Sequence, residues 1–216
     1  IANFSAQKRT VTKEDYIFRA LAMPPQFGKV AKAYIAQDTQ ISLDTNKRIS
    51  NPNALNLYTL GYNYNRKLTP LSYAAKLNLA TYLEQYRMLT DSINIKEASV
   101  INFKVEFDIT VKGGYSNDIV LLSCINSLRE LFRIDNWQIN EPINIGNITG
   151  RLYNIVGVQT VNDLTFTNLF GENSGYSKFK YSFDTATRNN TIYPSLDPSI
   201  FELKYPDTDI IGRVTT

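Results

Sequence analysis

The sequence predicts an α+β fold, and three observations carry the prediction. Residues 100–112, VINFKVEFDITVK, alternate without a break: Ile101, Phe103, Val105, Phe107, Ile109 and Val111 are apolar, and Asn102, Lys104, Glu106, Asp108, Thr110 and Lys112 are polar. Strand side chains point to opposite faces with a period of two, so one face here is buried and the other wet. Two other stretches repeat their apolar residues at spacings of three and four, the period of a helix with one buried side. The third observation is their order: from 55 to 167 the chain reads strand, helix, strand, strand, helix, strand.

Residues 1–11 read as a linker. Thr12 then opens a helix: Asp15, three residues on, completes a capping-box variant, and Pro24-Pro25 stops it. Residues 30–37 read as a strand. Residues 38–53 are polar and hold the breakers Asn51-Pro52-Asn53, as a loop or a long hairpin connection does. LNLYTLGYNY at 55–64 is a second strand. Thr69-Pro70 has the chemistry of a helix start, with Leu71, Ala75, Leu79, Tyr82, Leu83 and Tyr86 facing inward and an end near Leu89. Ile93 to Lys96 is a short strand ahead of the alternating one. Gly113-Gly114 ends the latter, and a helix from about 118 to 133 follows with Leu121, Ile125, Leu128 and Phe132 as its inner stripe. Residues 147–156 form a short helix that Gly157 terminates in left-handed conformation, and 158–167 is a last strand.

That order is the split βαβ, or ferredoxin-like, arrangement: a mostly antiparallel sheet with two helices on one face. The expected organisation is 1–54 as linker, capped helix and edge strand, 55–168 as the ferredoxin-like core, and 169–216 as an extended C-terminal arm. The arm is rich in Asn, Ser, Thr, Pro and Tyr and poor in Leu, Ile and Val. Phe179, Tyr181 and Phe183 alternate with polar residues and suggest one short strand; residues 200–205 suggest another, ended by Pro206. An arm of this kind needs a surface to lie on, either its own domain or a neighbour.

Composition excludes much chemistry. The 216 residues are 43% hydrophobic and 20% charged, with net charge +3 and no histidine. Without histidine there is no His-dependent triad, and the commonest general base and metal ligand are missing. The single Cys124 falls in the helical stripe with Leu121, Ile125 and Leu128, where a small buried residue belongs. No stretch is apolar enough to span a membrane. No zinc, P-loop, EF-hand or dinucleotide motif is present. Glu106 and Asp108 share the wet face of one strand with Lys104 and read as solvated charge. Asp184, Asp197, Asp207 and Asp209 cluster in the arm but suit ordinary turns. A ferredoxin-like RNA-binding module is the competing reading, and it needs exposed aromatics on its central strands; here the row with Phe103 and Phe107 is expected to be the buried one, and once helices cover it no stacking platform remains. The 14 Tyr and 11 Phe suit protein–protein contact, and the arm's rings Tyr176, Phe179, Tyr181, Phe183, Phe201 and Tyr205 are the expected interface residues.

Four segments share the order of one family: TVTKEDY at 10–16, FGKVAKAYI at 27–35, the strand and helix at 101–133, and WQINEPINIGNITGRLYNIVGVQTVNDLTF at 137–166. Together they resemble the baseplate J-like family of contractile phage tails. FELKYPDTDIIGRV at 201–214 is similar to the baseplate wedge subunits of T4-like phages, of which this chain resembles the C-terminal portion. The resemblance implies a structural role in a virion tail baseplate assembled in the host bacterial cytoplasm. It implies no catalysis, cofactor, small-molecule substrate, membrane or nucleic acid. The implied partners are other copies of the chain, as a dimer or ring, and other wedge proteins, in a ring that rearranges when the tail contracts.

Overall fold

The computed structural model describes residues 9–41, 48–89 and 91–215, and of 38–41 and 48–53 the backbone alone. Parts of the expected linker (1–8) and loop (42–47) lie outside these. The chain divides into two compact units, Ile1–Ala98 and Ser99–Thr216; the division falls inside the stretch expected as one core.

In the first unit, α1 (Lys13–Leu21) starts at the predicted cap. Thr12 Oγ1 accepts from the Asp15 N–H at 3.2 Å, and the Asp15 carboxylate accepts from the Thr12 N–H at 2.9 Å. β1 (Val30–Ile41) and β2 (Arg48–Tyr62) form an antiparallel hairpin, and its pairing takes up much of the polar stretch expected as a loop or hairpin connection, so both strands are longer than expected. Its register jumps from Gln37↔Leu55 to Asp38↔Asn51. Pro52 falls in that irregularity, where a proline without an N–H to donate does least harm. β3 (Leu68–Thr69) pairs with the end of β2. Thr69 is therefore taken up in a strand and does not cap the next helix. Ser72 does so instead, its Oγ accepting from the Ala75 N–H at 3.2 Å, and α2 spans Tyr73–Glu84. β4 (Ser92–Glu97) then lies parallel to β2. Tyr16, Ala20, Ile35, Leu57, Ala75, Leu79 and Leu83 meet in the core of this unit. The Tyr16 hydroxyl, at the edge of that core, donates to Asp91 Oδ2 at 2.6 Å.

The second unit opens with β5 (Ser99–Val111). The alternation holds: Ile101, Phe103, Val105, Phe107 and Ile109 are each no more than 2% exposed, and Lys104, Glu106, Asp108 and Thr110 are half-buried. α3 (Asn117–Leu131) buries Val120, Cys124 and Leu128, with Phe132 as its cap. The inner stripe is thus turned by about one residue from the expected one, and Leu121 and Ile125 are half-buried at its side. After β6 (Ile143–Asn144), α4 (Ile145–Tyr153) is capped by Asn144. Gly157 follows at φ 97°; a Cβ there would lie 2.6 Å from Val120 Cγ2. β7 (Val158–Leu169) pairs antiparallel with β5.

The tail then folds back on its own unit. α5 (Phe183–Ala186), β8 (Thr187–Arg188) and β9 (Thr191–Ile192) are short, and β8 and β9 join β6 in a small sheet. β10 (Ser199–Glu202) and, after the turn of α6 (Pro206–Asp209), β11 (Ile210–Val214) both pair in parallel with β5 on the edge opposite β7. The strand expected over 200–205 is β10. The strand expected over 179–183 does not form: the chain is extended there, but the Tyr181 N–H goes to a side chain, Asn168 Oδ1, at 2.9 Å.

Six helices and three sheets among the described residues make a mixed α+β fold. The ferredoxin-like core does not form. The expected elements are present, but β2 and β4 pair with each other in one sheet, while β5 and β7 pair in another. The reason is local. A ferredoxin-like sheet needs a hairpin between β4 and β5, and Ala98 alone separates them. The shortest common hairpin turn takes two residues, favouring Gly, Asn or Asp. Glu97-Ala98-Ser99-Val100 supplies none of these, so the chain runs from one sheet into the next.

Candidate interface

The groups that suggested chemistry are dispersed or already engaged. Lys104 Nζ sits 3.1 Å from Glu106 Oε1, so the wet face of β5 carries an ion pair. Of the four arm aspartates, Asp207 pairs with Arg129 at 2.7 Å, and Asp209 is buried and accepts from Tyr176, Thr208 and the Tyr205 N–H. Asp184 and Asp197 are exposed. Among the described residues no cluster of three or more His, Cys, Asp or Glu side chains could hold a metal ion. A cleft of about 670 Å³ opens beside α4 over Leu131, Trp137 and Ile148. Its charged lining is Glu141 and Arg151, with no Ser, Thr, Cys or Lys as a nucleophile. Arg151 Nε donates to Ser127 Oγ at 2.9 Å, tying α4 to α3.

What the second unit offers is surface. Of the six arm rings, Phe201 (2% exposed) and Phe183 (6%) belong to the core, with centroids 6.3 and 6.1 Å from that of Phe103. They have almost no area to present to a neighbour. Tyr181 is half-buried, 5.1 Å from Phe183 and 5.7 Å from Phe201. Tyr176 is also half-buried; its ring meets Tyr205 edge-on at 5.6 Å and its hydroxyl donates to Asp209 Oδ1 at 2.7 Å. Phe179 and Tyr205 keep exposed rings. The arm therefore gathers Tyr181, Phe183 and Phe201 over the Phe103 side of β5, sets Tyr176 beside Tyr205 at Asp209, and leaves Phe179 and Tyr205 exposed.

Burial acts on the titrating groups here. It pushes the Tyr176 phenol up to about 12, with the bond to Asp209 adding to the effect, and the Tyr181 phenol up to about 12. The Cys124 thiol, fully buried in α3, is pushed up to about 11.

Sequence reasoning missed two features. Asn102, on the wet row of β5, is completely buried and donates through Nδ2 to Glu202 Oε2 at 2.9 Å. Nothing local marks this, because its partner lies in the arm. Ile119 and Leu122 are exposed on the outer side of α3, as are Tyr115 before it and Tyr153 and Val156 at the end of α4. The signal was available here: Ile119 and Leu122 are apolar residues standing outside the inward stripe.

The fold has a counterpart among solved structures. A chain in the cryo-EM structure of the anti-feeding prophage (AFP) baseplate, 6-fold symmetrised, matches with TM-score 0.54 and 14% identity, covering 93% of this chain and 39% of that one. The fold resembles that of a baseplate chain. This chain spans about two-fifths of the length of that counterpart. No family model and no curated protein matches it.

Proposed function

We propose that this chain is a structural component of a contractile-tail baseplate, the C-terminal portion of a wedge subunit like those of T4-like phages. It joins an inner ring through other copies of itself and other wedge proteins, and it rearranges when the tail contracts. It transforms no substrate. The observation that carries the reading is the fold likeness to a baseplate chain over 93% of the sequence. Phe179 and Tyr205 make the contacts, Tyr176 and Tyr181 flank them, and Phe183 and Phe201 support the surface from beneath. The nucleic-acid reading is disfavoured because Phe103 and Phe107 are no more than 2% exposed, which leaves no rings on that row for bases to stack on.

Sedimentation of the chain alone and with wedge proteins of its own assembly tests the proposal. The expected result is a defined complex that Phe179→Asp and Tyr205→Asp weaken together. A chain that stays monomeric with every wedge protein, yet binds single-stranded oligonucleotides with steep salt dependence, overturns it.

A further inference from the structure

The geometry points to a hinged strap: residues 171–182 open and close as one piece over the second unit, which stays folded. Apart from the single turn Glu172–Ser174, the segment has no helix or strand of its own. Most of its ties to the unit are hydrogen bonds, those to β5, β7 and α6 joined by one from the Tyr181 hydroxyl to the Tyr193 carbonyl and one from the Tyr205 hydroxyl to the Gly175 carbonyl. On β5, Asn102 Oδ1 accepts from the Ser177 N–H at 2.7 Å and the Val100 carbonyl accepts from Ser177 Oγ at 2.5 Å. On β7, Asn168 Oδ1 accepts from the Tyr181 N–H at 2.9 Å. On α6, Asp209 Oδ1 accepts from the Tyr176 hydroxyl at 2.7 Å.

The acceptors are themselves braced from below. Asn102 donates to Glu202, and Asn168 Nδ2 donates to the Asn102 carbonyl at 2.9 Å. Breaking the strap away therefore leaves the brace in place. Phe166 and Phe183, stacked at 6.2 Å and buried, pin the core on either side of the segment in sequence. Between them Lys178, Phe179 and Lys180 are exposed, and the strap's ring contacts are Tyr181 with Phe183 and Phe201 and Tyr176 with Tyr205. Gly171 (φ 116°) and Gly175 (φ 78°) supply turns that other residues rarely adopt. At Gly171 a Cβ would meet only Ser174 Oγ, at 3.8 Å, so backbone conformation and not packing calls for glycine there. Water replaces hydrogen bonds at small net cost, whereas buried apolar anchors have no such substitute. A segment tied mainly by hydrogen bonds between buried anchors is thus a low-stability opening unit.

Three of the contact rings, Tyr176, Phe179 and Tyr181, ride on the strap. Opening presents the two tyrosines that closure half-buries, which gives the contact surface two states. That use of the strap rests on the baseplate reading; its opening does not.

Amide hydrogen exchange on the full chain tests the inference. The Ser177 and Tyr181 amides should exchange at a common rate, at least about a hundredfold faster than those of Val105 and Phe107 on β5. Tyr176→Phe and Ser177→Ala each remove one tie without touching the core. Each should accelerate both amides by about fivefold to tenfold and leave the β5 amides unchanged. Exchange of Ser177 and Tyr181 in step with β5 overturns the strap, and so does a variant that speeds only its nearest amide. Concerted opening in a chain that sediments alone supports the strap and rejects only its role in assembly.

Discussion

Tyr176 and Tyr181 hold their protons more tightly folded than unfolded, since burial pushes both phenols from 10.0 up to about 12. Between pH 10 and 12 the native state then binds more protons than the unfolded chain, so the stability these groups contribute is complete below 10 and is lost as pH rises through that window. The urea midpoint should fall across it, and replacing both tyrosines by phenylalanine should flatten the fall. Cys124 gives a second check. With its thiol raised to about 11 and fully buried, it should resist a thiol-specific reagent in the native protein at pH 8 and react at once in denaturant; immediate reaction of the native chain would contradict its burial. The place of Cys124 was legible because helical spacing alone put it on the inner side. The phenols were not. Phe179, Tyr181 and Phe183 alternate as a strand would, and only the distant Asn168 shows that the Tyr181 N–H goes to a side chain and not to a strand, just as only Asp209 accounts for Tyr176.

Two glycines separate packing from propensity at the level of the element. β11 passes so close beneath α3 that a Cβ on Gly212 would lie 2.4 Å from Phe107 Cζ and 2.6 Å from Leu121 Cδ1. Gly212→Ala should cost about 1–3 kcal/mol by overpacking. Gly150 sits within α4, and a Cβ there would meet nothing within 4 Å. Gly150→Ala should raise stability by up to about 1 kcal/mol through helix propensity. Thermal melts of the two variants should therefore move in opposite directions. Most elements could be read from the sequence because their signals are local, as with the Thr12 capping box and the alternation of β5; α4, however, ends at the Asn154 cap, before the Gly157 expected to stop it. Pairing could not, because it depends on residues far apart. The missing turn chemistry at 97–100 was the one local sign that β4 and β5 do not form a hairpin. The helix start at Ser72 went unread because Thr69-Pro70 carries a similar signature three residues earlier.

Across the whole molecule, the tail is part of the second unit's architecture. It supplies β10, β11, Phe183 and Phe201. Truncation after Leu169 should abolish cooperative unfolding of that unit, reported by the lone Trp137, while a fragment of residues 99–216 should keep native Trp137 emission. A truncated chain with an unchanged Trp137 transition would mean that the tail is dispensable to the fold. The bond between Asn102 and Glu202 joins residues 100 positions apart, which has a consequence for biosynthesis. On the ribosome, residues of the first unit are complete long before β5 receives its partners on the β10 and β11 edge. Until then a nascent chain shows an apolar strand with an open edge, a target for chaperones and proteases.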